Sequence, residues 1–540
     1  MRTLLFAVLA FLTATALYWT CVRFSYIPLD DLDYVVNNPN MRKGLTAETF
    51  KWAFNSQRYA DNCEWHPAAW LSMLADVSLS CGNRMPDGEW KRFDNRVART
   101  MHLHNVLLHA ACTALLFLLM ALLCRGRVDE PWLLCLSLLW SLHPLRNEVV
   151  CWIAERKEVL SVFWMLVSLL LYFNPSSRRP RLSTAASFLA FVFALLAKPV
   201  AVTLPAVLLA WDWAIRGKAR ILRLVPFALA SAGTCVMTII SQQAAIREGS
   251  TLSSAARLTA LFGAPVIYIR QTLWPARLAA VYEPPMSGDW LSISLGLVLV
   301  LTIVALCSYW LYRRAKGLPS LPPLDICVFG VAWAYIGLVP MLGFVKVGGA
   351  THSDRYTYWI GCGVVTCLAL LLAEYGGRWR ASVSAWISRI DGRPFDWEPA
   401  RRALLGLFAV TLAVLSAVTL RQQENWRTSL SFLRTTIRSS GHYSFAEKLH
   451  ALVRDTQATG WDEVEFWYRD CLDRFPCIEA NIALADFLLT RPPVESTLNG
   501  RDRLYSEPKL IAEYVLRQAP ENERAKEILT RIDKARRGEK

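Results

Sequence analysis

Long apolar runs separated by short polar segments fill most of the first 420 residues of the chain. A helix needs about 20 apolar residues to cross a bilayer, and several runs reach that length. The runs lie at residues 4–22, 101–124, 131–147, 153–173, 183–197, 199–215, 222–241, 291–312, 324–343, 356–374 and 403–420. Because unpaired backbone groups are costly in lipid, we expect each crossing segment to be helical. The pattern therefore predicts a mainly α, polytopic membrane protein with about eleven spans.

Lysine and arginine residues gather in alternate loops between these runs. If the N-terminus lies inside, every short loop on that side is basic, as the positive-inside rule requires. These loops contain residues 125–127, 178–181, 216–223, 313–316 and 378–402. The net charge of +15 thus follows from topology, and we expect no nucleic-acid partner. Hydrophobic residues make up 54% of the chain, which is unusual for a soluble protein of 540 residues.

The composition changes near residue 421, where the last apolar run ends. Helical periodicity continues near residues 442–457, 461–474, 477–490, 508–518 and 521–536, with turns expected at Pro476, Pro508 and Pro520. Paired helices of this length are typical of a short α-solenoid of the tetratricopeptide type, although their period is irregular. The chain then has four parts: a first span (1–23), a long external loop (24–100), a multi-span core (101–420) and an external helical domain (421–540).

The uncommon polar residues all fall on the side that this topology places outside. Asp30 and Asp31 directly follow the first span. Adjacent carboxylates repel, so at least one of them needs a partner or a raised pKa. They form either the solvated start of a loop or a general base held near an acceptor hydroxyl.

The densest polar cluster links the third and fourth spans. It contains His143, Glu148, Glu155, Arg156 and Lys157. Charges so close to a span are costly, so we expect them to be paired or functional. A Glu–Arg network that braces two helices and a ligand-binding site are both open interpretations.

Cations also occur where later apolar runs begin or break. Lys198 interrupts an apolar run and would suit a phosphate as a compact point charge. Asp354 and Arg355 begin the tenth span, where Arg355 is suited to clamp a phosphate that Asp354 orients. The alternative for this pair is a capped helix start, with Asp354 at its positive end.

Histidine and cysteine residues allow two further chemistries on the same side. His102, His104 and His109 have helical spacing, but no cysteine or carboxylate completes a ligand set, and we expect no metal. An exported location permits disulfides, although spacing does not show whether Cys63 bonds Cys81 or Cys471 bonds Cys477.

Several motifs occur in the same order as in a known family. They are Asp30-Asp31 with Asn37-Asn38-Pro39, Trp65-His66-Pro67, "HPLRNEVVCWIAERKEVLS" at residues 143–161, Ala197-Lys198-Pro199 and Asp354-Arg355-Tyr356. Together they make residues 25–375 resemble bacterial membrane proteins with tetratricopeptide repeats. Those proteins are relatives of the eukaryotic transmembrane and tetratricopeptide-repeat O-mannosyltransferases, in the glycosyltransferase C superfamily.

The resemblance implies an enzyme that moves a sugar, such as mannose, from a polyprenyl-phosphate donor to a hydroxyl with inversion. Asp30 or Asp31 would be the base, with a slight preference for Asp31. The implied phosphate ligands are Arg156, Lys157, Lys198 and Arg355, and the implied orienting residues are His66, His143, Glu148, Glu155 and Asp354. It implies no cofactor and a bacterial inner-membrane location with a cytoplasmic N-terminus. It also implies an exported protein acceptor, which the repeat domain binds and which receives the sugar on Ser or Thr.

The C-terminal part departs from the family, because its repeats are few and degenerate. The acceptor therefore stays open, and a glycan or lipid is an alternative to a protein. A non-catalytic membrane-tethered scaffold would explain the repeats but not the charges in the membrane part. A transporter would gather its ionisable groups in mid-membrane rather than at one face.

Overall fold

Helices form nearly all of the regular structure in the computed structural model, which has no strand among its described residues. The described residues are 1–55, 65–81, 90–174, 179–241, 254–276, 278–279, 281–282, 289–342, 352–391, 395–440, 443–456, 460–474, 477–490 and 499–537. They belong to two compact units. The first comprises Met1–Leu278 with Pro284–Arg427, and the second comprises Ala279–Glu283 with Thr428–Lys540.

The first unit contains the apolar helices and the short turns that join them. In chain order, its helices are α1 (Arg2–Tyr18), α2 (Ala47–Phe54), α3 (Pro67–Cys81), α4 (Trp90–Cys124), α5 (Glu130–Ser141), α6 (Asn147–Cys151), α7 (Arg156–Phe173), α8 (Pro180–Ala197), α9 (Leu204–Ala214), α10 (Ile221–Ser241), α11 (Ser254–Leu258), α12 (Ala264–Leu273), α13 (Trp290–Ala315), α14 (Pro322–Leu338), α15 (Thr357–Asp391) and α16 (Trp397–Gln423).

Eight helical segments in the described residues are long and apolar enough to cross a membrane. They are Arg2–Arg23, Asn95–Cys124, Pro180–Ala197, Ile221–Ser241, Trp290–Ala315, Pro322–Met341, Asp354–Ile390 and Trp397–Trp426. The chain is thus a helical membrane protein, as its apolar pattern predicts. The other three predicted spans form helices that are shorter or more charged, namely α5, α7 and Pro199–Ala214.

The helix α5 ends six residues before the predicted limit of its span, at Ser141. His143 and Pro144 explain this ending, because the Pro144 ring fixes its backbone and begins a 3-10 turn, Pro144–Arg146. The short helix α6 and a second 3-10 turn, Ile153–Glu155, follow before α7 begins. This broken connection brings the polar residues of the region together at one end of the helices.

The core of the first unit lies where α4, α7, α8 and α15 pack together. Phe117, Phe191 and Trp359 are buried there with many Leu and Val side chains. The helices α14 and α15 approach closely at Gly363, where a Cβ atom would lie 2.6 Å from the Trp333 ring. Such close packing keeps the broken ends of the helices in fixed positions.

The described parts of the long segment after α1 include helices. It contains α2, α3 and the first turns of α4. Thr46 and Thr49 form a reciprocal capping box at the start of α2, and Trp70 on α3 packs against Trp52 on α2. The segment therefore supplies folded walls beside the first aspartates rather than an open loop.

The second unit consists of helices that pack in sequence. They are α17 (Ser429–Ser440), α18 (Tyr443–Thr456), α19 (Trp461–Arg474), α20 (Ile478–Thr490), α21 (Asn499–Gln518) and α22 (Glu523–Arg537). Its core includes Ile482, Val515 and Ile528. The expected turn at Pro508 is wrong, because Pro508 lies within α21, while Pro520 does lie between helices and Pro476 falls outside the described residues.

Candidate functional site

Two neighbouring aspartates have different surroundings where the chain leaves α1. The Asp31 carboxylate is completely buried. Its Oδ2 accepts a hydrogen bond from the backbone N–H of Ile27 (3.1 Å), and its Oδ1 accepts one from the backbone N–H of Ala154 (2.9 Å). Burial raises the pKa of Asp31 to about 7, although both hydrogen bonds oppose the shift. Asp31 thus joins the segment after α1 to the turn before α7.

Asp30 is the more accessible of the two aspartates, with 37% of its side chain exposed. Its Oδ2 lies 3.7 Å from Nζ of Lys157. Nζ of Lys157 donates a hydrogen bond to the hydroxyl of Tyr34 at 3.1 Å and lies 5.0 Å from the centre of that ring. A ligand therefore reaches the Asp30 carboxylate more easily than that of Asp31, which reverses the slight preference drawn from the sequence.

Glu155 joins two cations that are distant in the sequence. Nζ of Lys198 donates a hydrogen bond to Oε2 of Glu155 at 3.0 Å, and Nε of Arg355 lies 3.5 Å from Oε1. Oε2 of Glu158 is also close to Lys198, 2.9 Å from the same Nζ. The structure thus brings the first turn of α7, the break between α8 and α9, and the start of α15 into one ion network.

Glu148 extends this network to the backbone of Arg355. The backbone N–H of Arg355 donates to Oε2 of Glu148 at 2.7 Å, and its guanidinium pairs with Oε1. The guanidinium also lies 5.6 Å from the Trp152 ring, within the range of a cation–π contact. Burial raises the pKa of Glu148 against the opposing effect of Arg355.

Carboxylates outnumber cations among the described residues of this ion cluster. The carboxylates are Asp30, Glu148, Glu155 and Glu158, and the cations are Lys157, Lys198 and Arg355. A bound phosphate would add negative charge in a region of low dielectric, where repulsion is strong. Phosphate binding is therefore favoured when one carboxyl is protonated. Burial raises the pKa of both Glu148 and Glu158, so either carboxyl is suited to hold that proton.

Arg156 has its own partners, away from the ion cluster. Its side chain is fully buried and donates to Asn105, to Oγ of Ser72 (2.7 Å), to Oδ2 of Asp76 (2.8 Å) and to the carbonyl of Met101 (2.6 Å). A guanidinium with all of these acceptors braces α3, α4 and α7. The geometry favours this bracing role over the predicted contact with phosphate.

His143 also forms hydrogen bonds that hold the surrounding backbone. Its Nδ1 accepts a hydrogen bond from the backbone N–H of Leu145 (3.2 Å), while its Nε2 donates to the carbonyl of Thr272 (3.0 Å). Burial lowers the pKa of His143 to about 4, so the ring is neutral at neutral pH. His66 is buried immediately before α3, and Asp354 is buried in the 3-10 turn before α15.

The three histidines on α4 contact different partners. His104 bonds to Asp76, and His109 bonds to the hydroxyl of Tyr358 (2.8 Å), while the His102 ring packs against that of Phe24. No group of three or more His, Cys, Asp or Glu residues suited to a metal ion occurs in the described part of the chain.

The structure tests one of the two possible disulfides. Cys81, Cys471 and Cys477 are free thiols, so the second possible pair is not bonded in the structure. Cys63 lies outside the described residues.

Three charged residues that the structure places near these groups were not predicted from the sequence, namely Glu158, Asp76 and Arg146. Glu158 shares Lys198 with Glu155, and Asp76 pairs with Arg156. Asp76 is the one charged residue of α3, so the sequence already marked it as a residue that needs a partner. Arg146 is buried, with its guanidinium 5.7 Å from the Trp140 ring and 5.6 Å from the Tyr358 ring.

Comparisons with family models, with curated proteins and with solved structures find no match to this chain.

Proposed function

We propose that the chain is an integral-membrane glycosyltransferase that moves a sugar from a polyprenyl-phosphate donor to an acceptor hydroxyl. The observation that carries this proposal is the position of Asp30. Its carboxylate is partly exposed, 3.7 Å from Lys157, and the adjoining network holds Lys198 and Arg355. A base beside several cations is the arrangement that displacement of a lipid phosphate requires.

The proposed step is a direct displacement. Asp30 takes the proton of the acceptor hydroxyl, whose oxygen forms a bond to the anomeric carbon of the donor. The bond from that carbon to the phosphate oxygen breaks, and the lipid phosphate leaves with the electron pair. Lys157, Lys198 and Arg355 stabilise the charge that develops on the leaving oxygen. Attack from the face opposite the phosphate inverts the anomeric centre.

The remaining residues of the site support these groups by position. Asp31 fixes the Asp30 loop to the turn before α7 through its two backbone hydrogen bonds. Glu148 and Glu155 hold Arg355, and Glu158 helps to hold Lys198. His143 fixes the turn before α6 through its bonds to Leu145 and Thr272, and Arg156 joins α7 to α3 and α4. His66 and Asp354 would orient the ligands.

The finer architecture in this proposal rests on the sequence patterns. The core would be of the glycosyltransferase C type with about eleven spans, in a bacterial inner membrane with a cytoplasmic N-terminus. The second unit would be a tetratricopeptide-like domain on the external side that presents Ser or Thr of exported proteins. The successive packing of its helices fits that kind of repeat.

Asp30→Asn offers the test of the base. The full chain in membrane vesicles is supplied with polyprenyl-phosphate mannose and exported-protein peptides, and sugar transfer is measured. Loss of a general base should slow transfer by about 10²–10⁴-fold. Asp33→Asn, which removes an exposed carboxylate three residues away, is the matched control and should stay within about twofold of wild type. Equal transfer rates in the two variants, at a measurable wild-type rate, would contradict the assignment.

A scaffold without catalysis is the second candidate, because the second unit is a separate compact body. The same Asp30→Asn variant distinguishes the two. A scaffold variant should fully restore a deletion strain, since the second unit is unchanged, whereas an enzyme variant should not. The alternative acceptors are separated by mass spectrometry of exported proteins from the deletion strain. Unchanged protein glycans would direct the search to glycan or lipid acceptors.

A further inference from the structure

A cavity of about 490 Å³ lies at the opposite end of α7 from the candidate site. The helix α7 begins at Arg156, beside the ion cluster, and Phe173 at its other end lines the cavity. The rise of an α-helix separates these two residues by about 26 Å. The cavity is therefore distinct from the site proposed for sugar transfer, and it lies at the ends of membrane helices.

Arginine side chains and apolar side chains line this cavity together. Arg125, Arg127 and Arg216 supply the charge, and Trp211 is among the apolar residues. Leu122, Leu123 and Leu370 also contribute to the lining. A guanidinium presents several donors in a plane and binds phosphate with two parallel hydrogen bonds. Apolar walls beside such donors suit a molecule with a charged head and an apolar body.

The Arg216 side chain is fixed by neighbouring side chains. Its Nη1 donates to Oδ1 of Asp212 at 3.0 Å, and Asp212 is completely buried. The other carboxylate oxygen of Asp212 accepts from the hydroxyl of Tyr172 at 3.2 Å. The Arg216 guanidinium also lies 5.7 Å from the Phe173 ring. This anchoring fixes one donor group of the cavity before any ligand arrives.

The other two arginines, Arg125 and Arg127, are exposed, and Nε of Arg127 donates to the carbonyl of Cys124 at 3.3 Å. Arg127 pairs with Glu374 at 3.1 Å, and half of its side chain is exposed. Arg125 is exposed, and its side chain makes no hydrogen bond or ion pair with the described part of the chain. Among the described residues, the three guanidinium groups of the lining thus have two carboxylate partners, Asp212 and Glu374. The cavity has the excess of positive charge that the ion cluster at the other end of α7 lacks.

We propose that this cavity binds a phosphate group at the membrane surface, either in the headgroup of an anionic lipid or in a free phosphate compound. Basic pockets between membrane helices bind phospholipid headgroups by the same chemistry. The proposal does not depend on sugar transfer, because the lining residues take no part in the proposed reaction. A lipid in this position would fill the gap between the ends of α4, α7 and α9 and the middle of α15.

Arg125→Gln/Arg127→Gln tests the proposal in the full chain. Wild type and variant are placed in nanodiscs of phosphatidylglycerol and phosphatidylcholine, released into neutral detergent, and examined for retained lipid by native mass spectrometry. Each arginine removed should reduce retained phosphatidylglycerol by about fivefold. Arg181→Gln/Arg223→Gln is the matched control, since it removes two exposed arginines that do not line the cavity. If the double variant cannot be purified, the single Arg125→Gln variant replaces it in the same measurement, because this change breaks no described contact.

A second arm separates the two sources of phosphate. Delipidated protein in neutral detergent is titrated with inorganic phosphate, and its melting temperature is followed. A rise in wild type that the double variant lacks assigns the cavity to free phosphate, whereas retention of phosphatidylglycerol without that rise assigns it to lipid. Both results support the phosphate site. Equal lipid retention and equal melting shifts in the cavity variant and the control variant would overturn it.

Discussion

Charged side chains at the two ends of α7 differ in their exposure to solvent. At the Arg156 end most of them are buried, with Asp30 as a partly exposed exception, and Glu155 forms ion pairs with two cations. At the Phe173 end the arginines that line the cavity are partly or fully exposed. Removing charges from water costs several kcal/mol for each ion in a protein interior, while exposed charges keep their hydration. Burial, rather than the number of charges, should therefore decide how much each end contributes to stability.

This difference affects how function is to be tested. At the buried end, one substitution changes folding and chemistry together, because it leaves a partner charge in the interior. A second substitution that removes the stranded charge is needed to separate the two effects. At the exposed end, single variants report on ligand binding directly.

The largest effect is expected for Arg156→Met. This change leaves the Asp76 carboxylate buried with only His104 beside it, and it deprives Asn105 and Ser72 of their donor. Breaking a buried pair of this kind costs about 3–5 kcal/mol. The protein should lose most of its soluble, monodisperse fraction in detergent and melt well below wild type.

Arg125→Met at the cavity end is the matched control for Arg156→Met. Its side chain is exposed and has no described partner, so the melting temperature should hardly change. Similar losses in the two variants would contradict the claim that burial distinguishes the two ends.

Lys198→Met should have the next largest effect. The carboxylates of Glu155 and Glu158 lose their shared ammonium, and the charges of Lys157 and Arg355 remain near Glu155. We expect a loss of about 3 kcal/mol. Adding Glu158→Gln removes one stranded charge and should restore part of the stability, with a coupling of about 1–3 kcal/mol in a double-mutant cycle.

The double variant Lys198→Met/Glu158→Gln also addresses function. If Lys198 stabilises the leaving phosphate, sugar transfer stays low even though the melting temperature recovers. Recovery of both together would reduce Lys198 to a structural residue. The cycle is measured by thermal unfolding in detergent and by transfer in vesicles.

Much of the fold follows from the sequence, because apolar length and basic loops act locally. Eight of the predicted spans appear as long apolar helices, and four of the five helices predicted after residue 442 lie close to their predicted limits. The exception is α21, which begins at Asn499 rather than at Pro508. The two helices between residues 47 and 81 were not predicted. The helices α2 and α3 depend on contacts such as Trp70 with Trp52, which no local pattern reveals.

The candidate site was predictable as a set of residues but not as a geometry. Glu148, Glu155, Lys198 and Arg355 do meet, although up to 207 positions separate them. The sequence gives no means to tell Asp30 from Asp31, or Lys157 from Arg156, because neighbouring residues of one charge differ only in the direction of their side chains. Tertiary packing turns Asp31 and Arg156 inward and leaves Asp30 accessible.

Asp31→Asn should have a smaller effect, and one that depends on pH. An Asn side chain offers one acceptor oxygen, so the N–H of either Ile27 or Ala154 loses its bond, which costs about 1–3 kcal/mol. The pKa of Asp31 is raised to about 7 by burial, against about 4 in the unfolded chain. The folded protein therefore holds this proton more tightly than the unfolded chain does.

The sign of the pH effect follows from that difference. The stability that Asp31 contributes by retaining its proton is fully present below about pH 4 and is lost as the pH rises through about 7. Asp31→Asn lacks this dependence, so wild type and variant should become closer in melting temperature between pH 4 and pH 7. A gap that stays constant or widens over this range would mean that Asp31 is ionised throughout in the folded protein.

The smallest effect is expected for Lys43→Met, which is the same substitution as Lys198→Met at a surface pair. Nζ of Lys43 lies 2.5 Å from Oε1 of Glu48, closer than the 2.9 Å between Lys198 and Glu158, but the two side chains are 45% and 69% exposed. Water competes for both ions, so the pair should contribute less than about 1 kcal/mol. Thermal unfolding of the two Lys→Met variants side by side thus tests whether distance or burial decides the stability of an ion pair. If Lys43→Met lost as much stability as Lys198→Met, distance would be the deciding quantity. Burial would then no longer explain the contrast between the two ends of α7.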